Sequence, residues 1–153
     1  MSENEERNQN EQDMDLSSGI AAFEAKHFAQ AMKLLYPLAE AGNAEAQHRV
    51  AIMYQNGLGV TPSDEEAFKW MQAAAEQGHA IAQHGLGFMY MEGECTEKDP
   101  QKAIEWFTRA AEQGLVGSLT TLAMMYEQGN GVEKDLEKAR ELYRKAGFED
   151  GIA

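Results

Sequence analysis

The sequence predicts an all-α chain arranged as a solenoid of repeated helix–turn–helix units, and three observations predict it. One segment recurs: AEAGNAEAQ at 39–47 returns as AEQGHAIAQ at 75–83 and, weakened, as AEQGLVGSL at 111–119. Gly42, Gly78 and Gly114 therefore stand 36 residues apart, as do the Met-Tyr pairs at 53–54, 89–90 and 125–126 and the alanines Ala31, Ala67, Ala103 and Ala139. Self-similarity at such a period is the signature of repeat architectures. Within each period the apolar residues fall at helical spacing. Finally, the chain has only three prolines in 153 residues and is rich in good helix formers.

Taken in order, residues 1–15 carry six acids against Arg7 and almost no apolar side chain. This composition reads as a disordered, solubilising tail. Residues 16–153 read as a single solenoid, with repeats at about 16–42, 43–78, 79–114 and 115–147 and a short C-terminal end at 148–153. The first unit is shortened, and Pro37 should kink its second helix and remove one backbone bond. In the first full unit, a helix from Ala44 to about Gln55 presents Ala46, Gln47, Val50, Ala51, Met53 and Tyr54 on one face. The segment Gly57-Leu58-Gly59-Val60 breaks it. Ser63, Asp99 and Asp135 are placed to N-cap the second helices. Ser63 with Glu66 reads as a capping box, and Pro100 suits a first helical position. Ala67, Trp70, Met71 and Ala74 then face inward, and Gly42, Gly78 and Gly114 end such helices. Repeat two has Cys95-Thr96 in place of Gly-Val, so its loop is expected to turn differently. Repeat three has Gly117-Ser118-Leu119 at its start, so its first helix is expected to begin loosely.

The segments AEAGNAEAQ…MYQNGLGV and AAEQGHAIAQHGLGFMYMEG, with the Lys-Ala-x-x-Trp helix, resemble the Sel-one-like repeat (SLR) family, a relative of the tetratricopeptide (TPR-like) repeat. The resemblance covers roughly 16–147. It implies a right-handed α/α superhelix and a non-enzymatic adaptor role, often in bacterial signalling or host interaction. Some extracellular relatives carry a cysteine pair in each repeat; this chain has Cys95 alone.

Composition narrows the functional classes. A formal net charge of −13 repels phosphate backbones and anionic lipid, so neither nucleic acid nor membrane is expected as a partner. A protein or peptide, basic in character, fits better. A single cysteine and an N-terminus without an apolar segment suggest a cytoplasmic protein. Walker, dinucleotide-binding, HExxH and paired CxxC motifs are missing from the sequence. Cys95 with His84 could be imagined as a nucleophile pair, and His48 with His84 as a two-ligand metal bridge, but neither constellation is complete. We therefore expect no catalytic residues, no metal and no cofactor.

The face of each first helix opposite its core varies between units, as partner-contacting positions do. It carries His48, Arg49, Ile52 and Gln55 in repeat one, Ile81, His84, Phe88, Met91 and Glu92 in repeat two, and Thr120, Met124 and Glu127 in repeat three. Ile52, Phe88 and Met124 are equivalent, which predicts an apolar stripe in a concave groove centred on Phe88. In that reading the groove binds a helix or extended peptide, and the acidic rim favours basic ligands. The alternative is an inhibitor or immunity protein that blocks a toxin or enzyme; a hydrolase is a remote third. A monomer or a weak end-to-end dimer is expected.

Overall fold

The computed structural model describes residues 2–148. These residues are helical, with no strand among them: α1 (Glu3–Glu24), α2 (Phe28–Glu40), α3 (Ala44–Asn56), α4 (Asp64–Glu76), α5 (Ala80–Glu92), α6 (Pro100–Glu112), α7 (Val116–Gln128) and α8 (Leu136–Lys145). The chain divides into two compact units, Met1–Ala74 and Ala75–Ala153. None of the described helices is long and apolar enough to cross a membrane. The C-terminal end expected at 148–153 lies outside the described residues, apart from Phe148, whose ring meets Tyr143 edge-on at 5.9 Å.

In the first unit, the expected disordered tail is instead the first half of α1. Ser2 and Glu5 close a reciprocal capping box, and three glutamates occupy the first turn, where they complement the helix dipole. Gln9 Nε2 donates to Asp13 one turn on. These local bonds satisfy the helix start without burial, and residues 2–15 remain exposed. Further along α1, Gly19 and Ala22 are buried. A Cβ at Gly19 would stand 2.5 Å from Leu35 Cδ2, so the glycine permits close packing of α1 on α2. The second helix, α2, runs unbroken through Pro37. The core then takes Leu35, Ala46, Val50, Ala51, Met53, Ala67, Trp70, Met71 and Ala74; apart from Leu35 these match the inward faces read from the sequence, with Tyr54 half-buried. The Ser63 capping box is only half formed. Ser63 Oγ accepts from Glu66 N–H, but Ser63 N–H donates to Tyr54 O and the Glu66 carboxylate accepts from Trp70 Nε1 at 2.9 Å. The same backbone bond recurs in the second unit, Asp99 to Tyr90 and Asp135 to Tyr126.

In the second unit, Leu86, Met89, Ala103, Phe107, Ala110, Leu122, Ala123 and Ala139 are buried. Each first helix here ends on a left-handed glycine, Gly93 or Gly129. The loop of repeat two turns like its neighbours rather than differently: Cys95 adopts φ 64, against 71 at Gly59 and 75 at Gly131. The start of α7 lacks the side-chain cap that Asn43 gives α3 and His79 gives α5, because Leu115 stands in that place.

Candidate functional site

The second unit brings several of the expected groove residues together. Positions 81, 84, 85, 88, 91 and 92 lie on one stripe of α5, because residues three and four apart share a helix face. Phe88, Met91 and Glu92 from that stripe meet Thr121, Met124 and Gln128 from α7 around an open depression of ≈300 Å³, with Met125 at its base. Met124 is 48% exposed and Phe88 39%.

Phe88 is not a free-standing anchor. Its ring meets buried Phe107 edge-on at 5.5 Å and His84 at 4.9 Å, and His84 also lies 5.2 Å from Phe107. Edge-to-face rings hold one another in place, so one edge of Phe88 belongs to the core and the other forms the wall of the depression. His84 Nδ1 lies 2.7 Å from Ser118 Oγ, which ties α5 to α7 behind that wall. Burial pushes the His84 imidazole below its usual value, since desolvation disfavours the cation.

The threonines contribute in an unexpected way. Thr121 Oγ donates to Gly117 O at 2.7 Å, and Thr120 Oγ is within bonding distance of Val116 O and Gly117 O. With its hydroxyl satisfied within the helix, Thr121 offers chiefly its methyl to the depression. Of the expected residues, Thr120 and Glu127 share the α7 stripe but do not line it. Glu127 instead acts on α8: burial first, and this carboxylate second, hold the Tyr143 phenol above its usual value. Ile81 stands 55% exposed at the start of α5. Thr121 and Gln128 were legible as stripe positions; Ser118, which positions His84, was not.

The other expected residues lie on α3 in the first unit. Arg49 is occupied internally rather than presented to a partner: its Nε donates to Glu45 at 2.9 Å, its guanidinium lies 4.9 Å from the Phe23 ring centre, and Glu24 is 3.8 Å away. It is the clasp that fastens the end of α1 to α3. At this position the expected face of α3 is engaged by the end of α1, through Phe23 and Glu24. His48, Ile52 and Gln55 are half-buried on the same helix.

The depression is apolar with carboxylate and amide groups at its edge, a surface suited to gripping a side chain. Three segments of the chain, 44–79, 80–115 and 119–147, match the Sel1 repeat. A comparison with curated proteins finds no match. Solved structures do match. A protective antigen present in uropathogenic Escherichia coli strains, displaying an SLR fold, is 34% identical with a TM-score of 0.85, covering 91% of this chain and 31% of that one. A Sel1 repeat protein from Oxalobacter formigenes is also 34% identical, with a TM-score of 0.81, covering 86% of this chain and 54% of that one. Cysteine rich protein B of Helicobacter pylori, 21% identical with a TM-score of 0.60 over 80% of this chain and 93% of that one, shares the fold. The chain thus spans about a third to a half of the length of the first two. Sel1 repeat proteins generally mediate protein–protein interaction, and the repeat is typically a non-enzymatic scaffold. With more than half of its residues matched to the repeat, the chain belongs to the Sel1 repeat (SLR) family.

Proposed function

We propose that this protein is a non-enzymatic adaptor whose α5–α7 depression grips an apolar side chain of a partner peptide or protein segment. The observation that carries this reading is the pairing of Phe88 and Met124 across an open apolar hollow. Phe88 is fixed from behind by Phe107 and His84, so one wall is preorganised. Met91 and Met124 are flexible and polarizable, which suits a surface that adapts to its ligand. Glu92 at the edge, in a chain of net charge −13, favours Lys or Arg beside the anchor and speeds capture of a basic partner. The same charge disfavours nucleic acid and anionic membranes, and the single cysteine suits the reducing cytoplasm.

The test is selection from a displayed peptide library on the intact protein, with Met124→Asp run in parallel. Met124 is exposed, so its replacement should leave the melting temperature nearly unchanged. Wild type should enrich peptides with a large aliphatic or aromatic anchor flanked by basic residues, and Met124→Asp should lose them. Enriched peptides that bind the variant equally well would falsify the depression as the docking site.

A further inference from the structure

A second face of the second unit carries opposite chemistry to the rest of the chain. Between α6, α7 and α8 lies a depression of ≈230 Å³, floored by Leu122, Tyr126 and Leu142 and edged by Lys138, Lys145 and Glu112. Lys138, Leu142 and Lys145 form one stripe of α8, since they are spaced four and three residues apart. Within α8 the cations Lys138, Arg140, Arg144 and Lys145 outnumber Glu137 and Glu141. This excess occurs in a protein of net charge −13. Lys145 meets Glu141 at 3.4 Å in an exposed pair, and such a pair exchanges partners cheaply.

The complementary surface is on α1. That helix holds seven acids against Arg7. Gln9, Gln12 and Asp13 border the turn between α2 and α3. Glu11, Met14 and Asp15 occupy the opposite side of α1, given 3.6 residues per turn. Met14 is 70% exposed, the most exposed large apolar side chain among the described residues. Glu11 precedes it by three residues and Asp15 follows it by one, so carboxylates flank Met14 along the helix, a pattern that complements an apolar hollow edged by two lysines.

We propose that the α6–α8 face binds α1 of a second copy of this chain, with Met14 entering the depression and Glu11 and Asp15 facing Lys138 and Lys145. The two surfaces are different, so the contact is heterologous, and each copy can engage two neighbours. Assembly of this kind grows with concentration and is weakened by salt, because exposed charges are screened. The proposal is independent of the α5–α7 depression, and either can fail alone.

Sedimentation velocity on the full chain tests it, at ionic strengths of about 10 mM and about 1 M, where the screening length falls from roughly 30 Å to roughly 3 Å. At low salt, species heavier than the monomer should appear and grow with concentration; at high salt they should disappear. Lys138→Glu/Lys145→Glu and Glu11→Lys/Asp15→Lys should each weaken association about tenfold or more. Mixing these two variants in equal amounts should restore it, and Met14→Ala should weaken it with no change in charge. Circular dichroism verifies that each variant is folded. A wild-type chain that stays monomeric at low salt up to millimolar concentration overturns the proposal, whatever else binds that face. So does association that survives Lys138→Glu/Lys145→Glu undiminished, or a mixture that fails to associate.

Discussion

Replacing Gly59 with Ala separates two costs that glycine normally hides. Gly59 has φ +71, and a Cβ there would stand 2.6 Å from the Phe28 carbonyl carbon and 2.8 Å from the Ala29 nitrogen. Both obstructing atoms are backbone in the first turn of α2, so no side chain can swing aside. Gly42 in the same unit has φ +98 and nothing within 4 Å of a Cβ. At Gly42 the penalty is the left-handed backbone alone, about 1–2 kcal/mol. At Gly59 a steric term of about 1–3 kcal/mol is added. The unfolded chain loses the same freedom in both variants, so that contribution cancels in the comparison. Gly59→Ala should therefore be less stable than Gly42→Ala by about 1–3 kcal/mol, measured by urea unfolding followed at 222 nm. Equal losses for the two variants would refute the claim that close approach of the loop to α2 is what demands glycine at 59.

Three further outcomes follow from named contacts. Asn43→Ala removes the acceptor for Ala46 N–H at the start of α3 and should cost about 1 kcal/mol in urea unfolding. Cys95→Gly relieves a side chain held at φ 64 but loosens the unfolded state; the net should be a gain of about 0.5 kcal/mol, and a loss above that size would mean the Cys95 side chain contributes more than its strain costs. Because the His84 imidazole is depressed by burial, the native state binds fewer protons there than the unfolded chain, so its stabilising contribution is complete above the unfolded value near 6.5 and is lost as pH falls below it. A His84→Gln variant should show a flatter stability profile over that range, and identical slopes would remove His84 as the cause.

The period made most of the fold legible. Trp70, Met71 and Ala74 could be assigned to the core because apolar counterparts recur 36 residues on, and Asp99 and Asp135 could be read as caps because each precedes an amphipathic helix. What escaped was whatever depended on a partner distant in sequence or on purely local bonding. Residues 3–15 have too little apolar character to show a helical face, although Ser2 and Glu5 were a capping box in plain view. Arg49 looked like a groove residue because nothing in its own repeat reveals that Phe23 and Glu24 meet it. Glu66 was assigned to Ser63, but a tryptophan N–H one turn on competes for the same carboxylate, and wins because Ser63 N–H is already bound to Tyr54. At the candidate site the stripe on α5 and α7 was readable from spacing. Its preorganisation by Phe107 and Ser118 was not, because that requires knowing which helices touch.

The buried glutamines constrain how such a chain can change in length. Gln47 Nε2 donates to Ala39 O and Gln83 Nε2 to Ala75 O, each across 8 residues, while the exposed Gln113 donates from Nε2 to Gly78 O and Gln83 Oε1. A buried amide left without its acceptor is costly, and these acceptors recur only at whole-repeat intervals. Insertions or deletions inside a helix pair would break that register, whereas adding or removing an entire 36-residue module would leave it intact. The length of the protein is in effect quantised, while residues on the outer stripes are free to diversify within each module. A lineage can thus extend its outer surface by duplicating a repeat and later revise the new face, without redesigning the interior.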